Sequence, residues 1–158
     1  MKEQIRQWIL SYGADVCGFA NIDRFGDAPQ GFSPLDLYHD CKSVICFGIA
    51  LPKGLTKVDS RLIYGHFNYD VVSKLDEIAL RAAKAIEGEF SCEAVPLPSD
   101  SPYEYWDEEN MHGKGLISLK HAAVNCGLGR LGKSTLLLNP KYGNLLIIVL
   151  PMQLKMVQ

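Results

Sequence analysis

Residues 127–134 read Gly127-Leu128-Gly129-Arg130-Leu131-Gly132-Lys133-Ser134, and no other stretch constrains the fold as much, because this octapeptide fits two nucleotide-binding patterns at once. As G-x-x-x-x-G-K-S/T it is a phosphate loop, and as G-x-G-x-x-G it is a dinucleotide turn. Glycines let a backbone approach an anion closely, and a following helix N-terminus offers unpaired N–H groups. The context speaks against both patterns. A phosphate loop needs a buried strand before it and a long helix after it, yet only Ser134 to Asn139 separate Lys133 from Pro140. Before the loop, Leu119, Ala122, Ala123 and Cys126 recur at helical spacing. A dinucleotide turn wants an acid about 20 residues further on, and no Asp or Glu follows Glu109. The spacing predicts a helix ending at Gly127, with the glycines forming the turn after it.

A chain of 158 residues is long enough to bury about two thirds of its unfolded surface in one domain. Its charge is unevenly placed. Residues 1–109 hold all 18 acids and 10 of the 16 bases, whereas residues 110–158 hold six bases and no acid. The C-terminal part can therefore meet an anionic ligand, or the two halves simply attract each other. The formal net charge of −2 gives no bulk attraction to nucleic acid or anionic lipid. Nucleic acid is not an expected partner, since the C-terminal bases are interleaved with core positions.

Five cysteines (Cys17, Cys41, Cys46, Cys92, Cys126) are scattered without a C-x-x-C pair, which argues against a disulfide framework, a zinc ribbon or an iron–sulfur cluster ligated within this chain. A reducing, cytoplasmic compartment is expected. The N-terminal stretch is amphipathic rather than a signal peptide, and the longest apolar run, Leu145 to Met152, is too short to cross a bilayer as a helix.

Along the chain the pattern predicts a helix over Lys2 to Tyr12 stopped by Gly13, then a strand over Ala14 to Ile22 with Val16, Gly18 and Ala20 on one side. Asp23 to Pro34 reads as a loop, followed by a short helix over Leu35 to His39 capped by Ser33-Pro34. Ser43 to Ala50 is a continuous apolar strand, buried on both faces. A long helix is expected from Tyr69 to Glu87, with Asn68 as N-cap, Gly88 just past its end and Val71, Leu75, Ile78, Ala82 and Ile86 as its core stripe. Ser91 to Leu97 reads as a strand. Residues 98–114 read as a long loop with three aromatics (Tyr103, Tyr105, Trp106) and five acids (Asp100, Glu104, Asp107, Glu108, Glu109), of the kind that is usually functional or disordered. A helix over 117–126, the glycine turn and a closing strand from Asn144 to Leu150 complete the alternating order.

Taken together, residues 116–123, the turn and its continuation 127–137, and Asn139-Pro140-Lys141-Tyr142-Gly143 resemble the epoxyqueuosine reductases and the related reductive dehalogenases. Gly13-Ala14-Asp15 with Gly18-Phe19-Ala20, the strand from Lys42 to Gly48, and Tyr64 to Tyr69 ahead of a long helix fall where that family has similar features. The resemblance implies an α/β fold, a nitroreductase-like α+β sandwich with a central mixed sheet flanked by helices. It implies one cobalamin-binding domain over residues 1–158, and an oxidoreductase if the chain is catalytic. In that family electrons arrive from two 4Fe–4S clusters in a C-terminal ferredoxin-like module. This chain has none of that module's clustered cysteines, so a shortened homologue or truncated gene, dependent on a separate ferredoxin-like donor, is the expectation. The family's commonly aromatic position after the second turn glycine is Arg130 here. The counterpart of its catalytic acid is Asp100, a proton donor if desolvation raises its pKa.

On the same resemblance, a corrinoid would supply the redox chemistry and the protein its binding and orientation. Gly127, Leu128, Gly129, Arg130 and Gly132 would approach its polar side groups through the backbone, with Lys133, Ser134 and Thr135 adding donors. Tyr69, His121 and Tyr142 are further candidate contacts, each of which has the simpler reading of a packing or surface residue. Two alternatives stay open. One keeps the fold and binds FMN, with the basic segment meeting its phosphate. The other is a non-catalytic, truncated binding module whose vacated face is covered in a homodimer. No histidine pair has the i,i+4 spacing of a helical metal site, so no metal ligands are assigned, and His66 and His112 stay without a role. No G-x-S-x-G elbow supports hydrolase chemistry.

Overall fold

The computed structural model of the chain describes residues 1–100, 104–144 and 146–153. Tyr103, Leu145 within the expected closing strand, and residues 154–158 lie outside that range.

Three strands form the central sheet. Strand β1 (Val16–Asn21) pairs with β2 (Ser43–Ile49), and β2 pairs with β8 (Leu146–Met152), both antiparallel. The expected mixed sheet is thus corrected to an antiparallel one. β1 and β8 run in the same direction, but β2 separates them, so no two neighbours are parallel. The alternation of β2 explains its continuous apolar run. Ile45 and Phe47 enter one core, Val44 and Cys46 the other, and all four are fully buried.

Helices α1 (Lys2–Ser11) and α3 (Arg61–Phe90) cover the first face. Ile5 and Ile9 of α1 meet the α3 stripe of Val71, Leu75, Ile78, Ala82 and Ile86, which is the predicted stripe. The bounds of α3 are wider than expected. It begins eight residues before Tyr69, with Ser60 rather than Asn68 at the N-cap, and it runs through Gly88 to end at Ser91, whose φ is +50°. Once the core stripe has nucleated a helix, adding turns is cheap, and one interior glycine such as Gly65 or Gly88 costs only about 1 kcal/mol. At the far end Phe90 packs on Trp8, ring centroids 6.0 Å apart, which extends the helix past Gly88. The added N-terminal turns lie outside the core, leaving Leu62 84% exposed, and Tyr69 just after them is 69% exposed.

The second face carries α4 (Leu119–Asn125), Phe25 from a single 3-10 turn (Ile22–Phe25), Cys41, Leu97 and the residues after α4. The short α2 (Pro34–Leu37) starts with a capping box in which Ser33 N–H donates to Asp36 Oδ2 at 2.9 Å and Leu35 N–H to Ser33 Oγ.

Ser91 to Leu97 is not a strand. A single bridge joins Ala94 to Met152, with Val95 N–H donating to Pro151 O at 2.8 Å. Pro96, Pro98 and Pro151 have no N–H to give, so a ladder cannot continue. Tyr38 pins the segment by donating its hydroxyl to Glu93 at 2.6 Å, a bond that pushes the phenol up to about 12. The expected loop at 98–114 contains a hairpin, β3 (Tyr105–Asp107) and β4 (His112–Lys114). Asp107 Oδ1 makes its turn by accepting from the N–H groups of Glu109 and Asn110.

No helix among the described residues is long and apolar enough to cross a membrane.

Candidate functional site

The glycine octapeptide is a helix terminus followed by a meander. Gly127, with φ +76°, stands just past the C-cap Cys126 of α4. Its N–H donates to Val124 O and that of Leu128 to Ala123 O, both at 2.9 Å, the two bonds of a Schellman motif. β5 (Arg130–Leu131), β6 (Leu137–Asn139) and β7 (Gly143–Asn144) then pair antiparallel. Among the described residues no helix follows the turn, as the short span from Lys133 to Pro140 predicts.

The remaining glycines serve packing. A Cβ on Gly129 would overlap the carbonyl of Leu138, and one on Gly132 would sit 2.8 Å from Leu138 Cδ1. The hairpin tip closes with Gly132 N–H donating to Leu136 O and Thr135 N–H to Gly132 O. Thr135 takes φ +59°, a left-handed conformation that a β-branched residue rarely adopts. Four N–H groups of the motif, on Gly127, Leu128, Gly132 and Thr135, are therefore already bonded to carbonyls. What the hairpin offers outward is side chains. Arg130, Lys133, Ser134 and Thr135 are exposed beside Leu136 and Leu138, which are 43% and 47% exposed.

Asn139 ties this unit together. Its Nδ2 donates to Leu128 O at 2.7 Å, and its Oδ1 accepts from Lys141 N–H and Tyr142 N–H at 2.9 and 3.1 Å. Tyr142 packs against the second core, with Lys141 Nζ 4.7 Å from its ring centroid. Sequence reasoning assigned Asn139 no role, although an Asn ahead of Pro-x-Tyr-Gly is itself an Asx-turn signal.

Two clefts flank the start of α4 and share Ile117. The smaller, about 40 Å³, is lined by Asp100 together with Leu97, Gly115 and Leu119. Asp100 itself is solvent-exposed. Its neighbour Ser99 anchors the segment to α3, its N–H donating to Asp76 Oδ1 at 2.9 Å and its hydroxyl to Val72 O at 3.1 Å. The larger, about 530 Å³, lies between the loop after β1 and α4. His121 lines it, with Nδ1 2.6 Å from Ser118 Oγ. Arg24 and Asp27 also line it, residues that the sequence left in an unassigned loop.

The structure thus joins Gly127 through Thr135 and Tyr142 in one unit, sets His121 in the cleft beside the same helix, and puts Asp100 on the adjoining edge. Tyr69 stands apart, on the exposed end of α3, a helix that packs on the opposite face of the sheet from α4.

Four of the five cysteines are buried. Burial pushes Cys17 and Cys126 up to about 12 and Cys41 up to about 11, and it raises Cys46 well above the usual thiol range. Among the described residues no group of three His, Cys, Asp or Glu side chains is arranged to hold a metal ion.

No family model matches the chain, and no curated protein matches it in sequence. Solved structures do. An epoxyqueuosine reductase from Streptococcus thermophilus matches 99% of the chain at 17% identity and a TM-score of 0.68. An epoxyqueuosine reductase with an epoxyqueuosine-modified tRNA-Tyr stem loop matches 99% at 15% identity and a TM-score of 0.66. The Bacillus subtilis enzyme, with its catalytic loop swung out of the active site, matches 99% at 15% identity and a TM-score of 0.65. The chain shares their fold over nearly its whole length and spans 46–47% of theirs.

Proposed function

We propose that this chain is a corrinoid-binding, reductase-type domain supplied with electrons by a ferredoxin-like donor. The observation that carries the reading is the likeness of fold to epoxyqueuosine reductases across 99% of the chain, in a sequence whose residues 116–143 resemble the same family. The nitroreductase-like architecture belongs to this proposal too.

The residues present fit such a group. A corrin is a broad ring with apolar faces and a rim of amides, and the hairpin offers exposed Leu136 and Leu138 beside the donors Arg130, Lys133, Ser134 and Thr135. With the N–H groups of Gly127, Leu128, Gly132 and Thr135 bonded to carbonyls, the side chains of Arg130, Lys133, Ser134 and Thr135 would carry much of the holding. When bound, the corrinoid supplies an electron-transfer centre that no side chain here can provide. The chain's own part is to orient it and exclude water on one side. Asp100, on the edge of the smaller cleft beside the start of α4, is the carboxyl that would move a proton to or from a substrate.

Titration of the purified protein with cob(II)alamin tests the reading. The expected result is a changed absorption spectrum, with cofactor co-eluting on gel filtration, and weaker binding after Arg130→Ala combined with Lys133→Ala. No spectral change and no co-elution at micromolar cofactor would overturn it. A yellow protein that releases FMN on denaturation would support the flavin alternative instead.

A further inference from the structure

The 530 Å³ cleft beside α4 is lined by none of the hairpin residues and has a chemistry of its own. Phe25, Ala28, Pro29, Phe32, Ile117 and Ala122 make most of its wall. Phe32 is held from behind by Lys114 of β4, whose Nζ lies 5.0 Å from its ring centroid. Into this apolar space the loop brings one cation and one anion, Arg24 and Asp27. They do not pair with each other, and neither joins an ion pair among the described residues.

An apolar cleft with two separate, uncommitted charges of opposite sign selects its ligand by elimination. A neutral aromatic compound would cover both charges without pairing them, which costs free energy. A ligand of single charge would leave one of them stranded. A zwitterion with an apolar body pairs both, and guanidinium to carboxylate is the stronger, bidentate contact. The volume lies within the roughly 300–1,000 Å³ of small-molecule sites. We propose that this cleft binds a free aromatic α-amino acid, its carboxylate on Arg24, its ammonium group on Asp27 and its ring against Phe25, Phe32 and Ile117. The bond between Ser118 Oγ and His121 Nδ1 holds the imidazole in the cleft wall.

Isothermal titration calorimetry with L-tryptophan, on protein without added corrinoid, tests the site whether or not the reductase reading stands. The expected pattern is saturable binding of L-tryptophan, with tryptamine and indole-3-propionate each weaker by about tenfold or more, since each lacks one charged contact. Arg24→Gln should lower affinity for L-tryptophan and leave tryptamine unchanged. Asp27→Asn should lower it and leave indole-3-propionate unchanged. Both side chains are exposed, so the fold survives the changes. No heat at millimolar L-tryptophan, or equal affinity for all three compounds, would overturn the proposal.

Discussion

The two faces of the central sheet are covered by different means. On one face, α1 and α3 lay regular stripes of Ile, Leu, Val and Ala over β1, β2 and β8. On the other, a seven-residue α4, a glycine turn, a meander and two wrapped segments do the covering. A helix stripe seals a sheet through many interchangeable apolar contacts. An irregular cover must instead bring backbone against backbone at a few positions, and these allow only glycine. Of the glycines that look like a ligand motif in the sequence, Gly129 answers that need against the carbonyl of Leu138, while Gly127 is there for its positive φ.

The largest expected effect falls where the irregular cover meets the sheet. A Cβ on Gly18 of β1 would overlap the carbonyl of Cys126 and meet Leu128 Cδ2 at 2.9 Å. Because the first obstacle is backbone, Gly18→Ala should cost about 3 kcal/mol or more, the upper end of the usual range for overpacking. Urea denaturation measures it, and a loss below about 1 kcal/mol would mean that the α4 terminus can shift freely. The helical face should yield more evenly. Leu75→Ala, at a fully buried site, should cost about 2–5 kcal/mol through the cavity it leaves, with the protein still folded.

Alkaline titration separates the faces by chemistry. Cys41, Cys46 and Cys126 belong to the irregular side and Cys17 to the helical side. Their folded pKa values are raised by burial, to about 11 for Cys41 and about 12 for Cys17 and Cys126. Below the unfolded thiol pKa, near 9, both states are protonated and the stabilisation is complete. As pH rises from there toward 12, only the unfolded chain loses protons and stability falls. The urea midpoint should drop between pH 8 and pH 10, and Cys126→Ala should shrink that drop more than it changes the midpoint at pH 7.

The smallest effect is a gain. Thr135 sits in a left-handed conformation that costs a residue with a Cβ about 1–2 kcal/mol, so Thr135→Gly should stabilise the hairpin by about 0.5–1 kcal/mol after the entropy of glycine is counted. A thermal melt reads this directly. If Thr135 also touches the corrinoid, the stabler variant will bind it less tightly.

This contrast also explains what could be read from the chain. The α3 stripe, α1, the apolar β2 and the short capped α2 were legible because periodicity and capping are local signals. The termini of α3 were not, since turns outside the core are carried by the helix they extend, and neither Asn68 nor Gly88 had to act as a boundary. Ser91 to Leu97 has a strand's composition, but Pro96 within it, Pro98 just after it and Pro151 of its neighbour leave too few N–H groups to build a ladder. In the candidate site, the helix before the glycine turn was legible and the partners of the turn were not. That Gly129 abuts Leu138, or that Asn139 reaches back to Leu128, depends on contacts made only once the meander has formed. Arg24 and Asp27 were missed because a Gly- and Pro-rich loop carries no periodic signal at all.

The register of the sheet has a kinetic side. β2 takes its second neighbour from the far end of the described chain, with Ser43 opposite Met152, so this pairing closes a loop of more than a hundred residues. Such nonlocal contacts fold slowly, since the entropy of closure is spent before they form. During synthesis β1, β2 and the whole of α3 emerge before β8 exists, and one edge of the most apolar strand waits uncovered. Aggregation in that interval, rather than weakness of the finished fold, is the hazard this topology sets for production of the protein.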